Sequence, residues 1–198
     1  IIWPYILTFA LDIKHPVFQT IIENPSLTSN VHKPFPWKEY YKNCYNLNLS
    51  FAITHQDSLR LVQMENELIP IYPDSTKHDE QALRMYQQYF ASLNKWELYK
   101  SFTSIYLDSL ETEDSKYYVK EAILVFENYT GNPPVVLALY FLDKGIEKKP
   151  DYELHMSKSQ VYYYNQDYDK SVKEAEEAFK YTDDPQKKAR VLRFIDLM

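Results

Sequence analysis

Two glycines in 198 residues constrain this fold more than any other feature of the chain. Tight turns between strands usually need a residue at positive φ, which glycine supplies without steric cost. A chain so poor in glycine can make few such turns. Its eleven prolines stand where helices start and stop, as in "IIWPYIL", "IIENPS", "LIPIYPD" and "DDPQKK". No segment sustains an alternation of period two, whereas several repeat apolar residues every three to four positions. The expectation is an all-α protein punctuated by proline.

Along the chain, helices are expected over "YILTFALDI" after Pro4 and over "PVFQTIIENP", with a loop across residues 26–36. "WKEYYKNCYNLNLSFAITHQ" spaces Trp37, Tyr40, Tyr41, Cys44, Tyr45 and Leu47 helically, with a break expected near "NLNLS". The next helix takes Asp57 or Ser58 as its N-cap and ends at Pro70 or Pro73. "KHDEQALRMYQQYFASLN" carries Ala82, Met85, Tyr86, Tyr89 and Phe90 on one stripe. "KWELYKSFTSIYLDSL" offers Leu98, Phe102, Ile105 and Tyr106 on another.

The last third of the chain repeats itself. Counting from Asp151, Tyr162 stands at 11, Tyr168 at 17, Ser171 at 20, Ala175 at 24 and Ala178 at 27. Stepping back by 33 places Tyr129, Val135, Ala138, Leu142 and Gly145 at the same offsets, and Pro150 at 32. Aromatic residues thus flank a turn at "NQD", and small residues follow where two helices must approach closely. The pattern resembles the tetratricopeptide repeat, with His155 and Ser159 standing where that family usually has Trp and Gly. The resemblance implies antiparallel helical hairpins stacked as a right-handed solenoid. On this reading residues 1–198 form a single helical domain with a divergent part over 1–110. Repeats span 118–150 and 152–185, and a capping helix covers 186–198. The turn of the second hairpin is expected at residues 165–167.

Charge and chemistry narrow the function. The net charge is −6 with no basic run, which gives nucleic acid little electrostatic purchase. The single cysteine, Cys44, allows no internal disulfide and no CxxC site, and on a tyrosine-rich helix it reads as a buried inert thiol. His15, His32, His55, His78 and His155 show no HxxxH spacing, so no zinc site is expected. "KHDE" at 77–80 spreads its side chains around a helix, and "EAEE" at 174–177 reads as a solvated face. No phosphate loop or nucleophile elbow is present. No catalytic residue, cofactor or membrane span is therefore expected, although Asn48-Leu49-Ser50 and Asn128-Tyr129-Thr130 match the glycosylation triplet.

A second resemblance runs over most of the chain. The opening "IIWPYILTFALDIKHPVFQTIIEN", a "W..Y" helix and the closing "YYYNQDYDKSVKEAEEAFKY" are similar to the helical region following the thioredoxin-like domain of bacterial cell-envelope proteins. That resemblance implies a thiol-disulfide oxidoreductase domain upstream, with its CxxC outside this chain, and a periplasmic or envelope location; the other expectation is cytoplasmic. The start on "IIWPYIL", without Met, agrees with a piece of a longer protein. The expected function is a non-catalytic interaction or scaffolding module. Its partner would be a protein, a peptide or the neighbouring thioredoxin-like domain. The pattern positions that face a solenoid groove are Lys120, Glu127, Glu153, Met156, Gln160 and Tyr163. The alternative is a helical enzyme or small-ligand binder whose pocket comes from residues distant in sequence.

Overall fold

The computed structural model describes residues 37–68, 75–110 and 113–198. The helices expected ahead of residue 37 lie outside the described residues, as do Pro70 and Pro73. Among the described residues there are nine helices and no strand, so the described part of the chain is all-helical. None of these helices is long and apolar enough to cross a membrane. The chain divides into two compact units, residues 1–94 and 95–198. The division follows α3 directly, at a turn where Asn94 takes φ of 55°, and so precedes the change of character expected near residue 110.

The first unit packs α1 (Trp37–His55), α2 (Ser58–Leu68) and α3 (Ser75–Ser92) against one another. α1 runs unbroken through "NLNLS", because Leu49 and Ala52 are buried and hold that turn against its neighbours. Asp57 caps α2, accepting from the Arg60 amide at 3.1 Å, as its sequence position suggests. The Arg60 guanidinium reaches across to Asn48 Oδ1 of α1 at 2.6 and 3.1 Å. The Tyr86 hydroxyl of α3 donates to Glu65 of α2 at 2.7 Å. The α3 stripe is buried at Ala82, Met85, Tyr89 and Phe90, and Tyr86 is half-buried. Cys44 lies on the helical backbone of α1, and its side chain is outside the described residues.

The second unit holds α4 (Trp96–Ser109), α5 (Ser115–Asn128), α6 (Asn132–Lys148), α7 (Tyr152–Tyr164), α8 (Tyr168–Lys180) and α9 (Pro185–Ile195). Aspartate starts four of these helices. Asp114, Asp151, Asp167 and Asp184 each accept a backbone amide of the first turn, which satisfies donors the helix itself leaves free. α6 instead starts at Gly131, whose φ of 100° suits glycine, with proline in its first turn.

On α4 the buried stripe differs from the expected one. Tyr99, Thr103 and Leu107 are buried, whereas Leu98 and Ile105 are 43% and 68% exposed and Phe102 lies at the margin. The helix carries two apolar rows of similar strength, and tertiary contact decides between them. Tyr99 packs beside Trp96, and both rings meet Tyr129 edge-on at 6.2 and 5.5 Å.

Two helix pairs form the body of this unit, α5 with α6 and α7 with α8. The turn between α7 and α8 falls at residues 165–167, as expected from the repeat. Gln166 takes φ of 64° there. The first pair departs from the 33-residue spacing. Tyr129, expected one turn from the end of a helix, is the extended residue that terminates α5, with φ −133° and ψ 151°. Both corners hold three residues, "YTG" and "NQD", so the extra residues lie in the helices: Ala138 follows the α6 cap Gly131 by seven positions, and Ser171 follows the α8 cap Asp167 by four. The caps Asp114 and Asp151 are 37 residues apart, while Ala138 and Ser171 on the second helices remain 33 apart.

Candidate functional site

α7 is the centre of the second unit, packing against α5, α6, α8 and, through a shared core, α9. Its face toward α8 is polar. Ser159 Oγ donates to the Ser171 carbonyl at 2.7 Å, and Ser171 Oγ donates back to the Ser159 carbonyl at 2.8 Å. Further along, His155 Nδ1 donates to Glu174 Oε2 at 2.8 Å. Pairing 159 with 171 and 155 with 174 makes the two helices antiparallel. The residues that replace Trp and Gly of the family pattern are therefore the ones that bond across the pair.

Glu174 extends this contact into a chain of charges. Its other oxygen meets Lys158 Nζ at 2.6 Å, and Lys158 also reaches Asp143 of α6 at 2.8 Å. Burial disfavours the ionised Glu174, but hydrogen bonds from His155 and Lys158 overcome it and hold the carboxyl below the usual glutamate range. Burial likewise opposes the Lys158 ammonium, and its bonds to Asp143 and Glu174 outweigh that and raise its pKa. The expectation of a solvated "EAEE" face thus fails at Glu174, which points inward because a cation and an imidazole await it. The Tyr181 ring stacks flat on His155 at 5.1 Å and 9°, and His155 Nε2 is buried without a hydrogen-bond partner. The four groups brace three helices, with His155, Lys158 and Glu174 largely enclosed and Asp143 about half-exposed.

The expected groove residues on α7 differ in exposure: Glu153 is exposed, Gln160 and Tyr163 are half-buried and Met156 is buried. Met156 is buried in a cluster with Tyr152, Ala175, Ala178 and Val191. Glu153 pairs with Lys187 of α9 at 2.9 Å. Tyr163 meets Phe194 of α9 at 5.3 Å, and Gln160 is half-buried. α9 packs along part of that row, through Val191 and Phe194, and covers apolar surface that would otherwise meet water. Lys120 and Glu127 of α5 are exposed.

Beside this row lies an aromatic cluster, half-buried at Phe126, Tyr163 and Phe194 and exposed at Tyr164 and Tyr168. Phe126, Tyr164, Tyr163 and Phe194 form a continuous row with ring centroids 6.1, 5.6 and 5.3 Å apart, and Tyr168 joins Tyr163 at 5.7 Å. The rings come from α5, α7, α8 and α9, and they meet at tilts of 41° to 75°. Tyr164 is 69% exposed and Tyr168 47%. Their abundance in "VYYYNQDY" was legible from sequence, but the contributions of Phe126 and Phe194 were not, because they depend on where α5 and α9 pack.

The other chemistry candidates resolve into local partners. His78 Nδ1 lies 3.1 Å from Asp79 and Nε2 lies 3.2 Å from the Glu65 carbonyl. The hydrogen bond to Asp79, with that carbonyl's help, raises its pKa against the cost of burial. Glu80 turns instead to Arg84. Among the described residues no cluster of three or more His, Cys, Asp or Glu has the arrangement of a metal site. No protein-family model matches the chain, and no curated protein or solved structure matches it significantly.

Proposed function

We propose that this chain is a non-catalytic protein-interaction module built on stacked helical hairpins of the tetratricopeptide type. The hairpin reading is supported by small buried residues at corresponding places: Ala122 and Ser159 on the first helices, Ala138 and Ser171, then Gly145 and Ala178, on the second. α9 takes the role of a capping helix over the last apolar face. The observation that carries the functional reading is the aromatic row. Large exposed aromatics cost a soluble chain solubility, and tyrosine supplies broad, rigid contact area to a partner at little entropic cost.

The enzyme alternative would draw on His155, Lys158, Glu174 and Asp143. His155, Lys158 and Glu174 bond to one another and His155 lies under the Tyr181 ring, which argues against a role for them in acid–base work on a substrate, although Asp143 is half-exposed. A peptide array tests the module reading. Immobilised peptides of proline-rich, helical apolar, acidic, basic and Gly-Ser composition are probed with the purified chain and with Tyr164→Ala/Tyr168→Ala. Binding by at least one class that the double variant loses is the expected result. An array on which no class binds would remove the reading.

A further inference from the structure

We infer that His78 is a proton-dependent latch between α2 and α3, joining the two helices as the imidazolium and giving up one of its bonds as the neutral ring. The latch lies in the first unit and stands apart from the interaction-module reading.

Both ring nitrogens face acceptors. Nδ1 lies 3.1 Å from Asp79 Oδ1 on the same helix, and Nε2 lies 3.2 Å from the Glu65 carbonyl of α2. An ionised carboxylate and a carbonyl can only accept. A neutral imidazole carries one N–H, so either tautomer leaves a lone pair set against an oxygen. Only the imidazolium donates at both nitrogens, once within α3 and once across to α2.

The surroundings favour the charged ring. Glu65 stands in the last turn of α2, whose carbonyl end attracts a cation, and α2 has no basic residue of its own there. The Glu65 carboxylate, bonded by the Tyr86 hydroxyl at 2.7 Å, adds its attraction to that of Asp79. The His78 side chain is only 14% exposed, and burial opposes the charge. The bond to Asp79 is the larger effect and raises the pKa from 6.5. Other charged groups of the packed helices turn elsewhere. On α3 Glu80 meets Arg84 at 3.7 Å. Arg60 of α2 bonds to Gln63 and Asn48, and His55 of α1 meets its own Phe51 carbonyl.

Because the folded pKa lies above the ordinary 6.5, the latch is fully present below that value. It is lost as pH rises through the raised one. The Tyr86–Glu65 bond still joins α2 to α3, so release loosens this junction and leaves the unit folded.

The test follows the histidine rings of the 15N-labelled full chain by NMR, with His78→Gln identifying the His78 signals. At about pH 6 both His78 nitrogens should carry protons, and the folded ring should titrate at higher pH than in the urea-unfolded chain. Asp79→Asn, a change at an exposed position, should weaken proton binding about two- to fivefold. Native-state hydrogen exchange, corrected for its intrinsic pH dependence, reads the junction itself. Amides at the start of α3 should lose protection about two- to fivefold between about pH 6 and 8.5, and His78→Gln should remove that dependence. A neutral His78 at about pH 6, or a folded midpoint at or below the unfolded one, would overturn the latch. So would a ring that titrates unchanged in Asp79→Asn, or protection that stays flat while His78 titrates.

Discussion

Gly145→Ala tests how closely the hairpins approach. In an ordinary helix this change is favourable, because glycine costs about 0.5–1 kcal/mol relative to alanine. At Gly145 a Cβ would stand 2.6 Å from Leu154 Cδ2 and 2.9 Å from Tyr118 Cβ. Leu154 and Tyr118 are both fully buried, so neither has free space into which to retreat, and the Tyr118 atom is fixed to the α5 backbone. Overpacking of this kind costs about 1–3 kcal/mol. It should outweigh the helical gain and leave a net loss of about 1–2 kcal/mol. Urea titration followed by far-UV circular dichroism should show a lower midpoint with an unchanged slope. Leu154→Ala removes the closest clashing atom, so its cost combined with Gly145→Ala should be smaller than the two separate costs together. A stabilised Gly145→Ala, or strict additivity with Leu154→Ala, would refute the close approach of α5, α6 and α7.

Ala178→Leu crowds the Tyr152–Met156–Val191 cluster and should cost about 1–3 kcal/mol, seen as a lower midpoint in the same titration. Tyr152→Phe removes a hydroxyl that is buried without a hydrogen-bond partner. It should be neutral or stabilising by up to about 1 kcal/mol in a thermal melt. Glu174→Gln leaves Lys158 with Asp143 alone and should cost about 1–3 kcal/mol near neutral pH. Because the folded pKa of Glu174 lies below its ordinary 4.5, its contribution is fully present above that value and is lost as pH falls through the lowered one. The gap between wild type and Glu174→Gln should therefore close on acidification. Lys158, with its pKa raised above 10.5, contributes below that value and loses its contribution as pH rises through the raised one. Lys158→Met should narrow its deficit at the alkaline end, as measured by stability against pH.

The second hairpin was legible almost residue by residue because several independent signals coincide there. Asp151 and Asp167 cap its helices, Gln166 turns the chain, and Ser171, Ala175 and Ala178 fall on one buried face. The first hairpin was legible as a pair but not in register. A fixed repeat length cannot reveal lengthened helices when Tyr129 offers an aromatic at the expected offset. The deciding signals were local: Gly131 at positive φ and proline in the first turn of α6. The α4 stripe and the inward turn of Glu174 could not be read from spacing at all. Leu98 and Tyr99 begin equally plausible rows on α4, and a glutamate in "EAEE" looks solvated until Lys158 and His155 are known to face it.

The same packing leaves the six expected groove positions unevenly exposed, with Lys120, Glu127 and Glu153 open, Gln160 and Tyr163 half-buried and Met156 buried. Buried residues occur around nearly the whole of α7, at Tyr152, Leu154, His155, Met156, Ser159 and Val161, because helices press on it from several sides. Such a helix has no broad face to lend to a ligand once α9 takes the Met156 and Tyr163 side. Its end is different. Past Val161 the surrounding helices turn back, and burial falls away from Tyr163 to Tyr164. A side chain there must be large and amphipathic, to cover the core on one side and meet water on the other. Tyrosine meets both demands. The aromatic density that makes "VYYYNQDY" stand out in the sequence thus follows first from sealing a helical corner, with Tyr164 and Tyr168 left exposed at its rim.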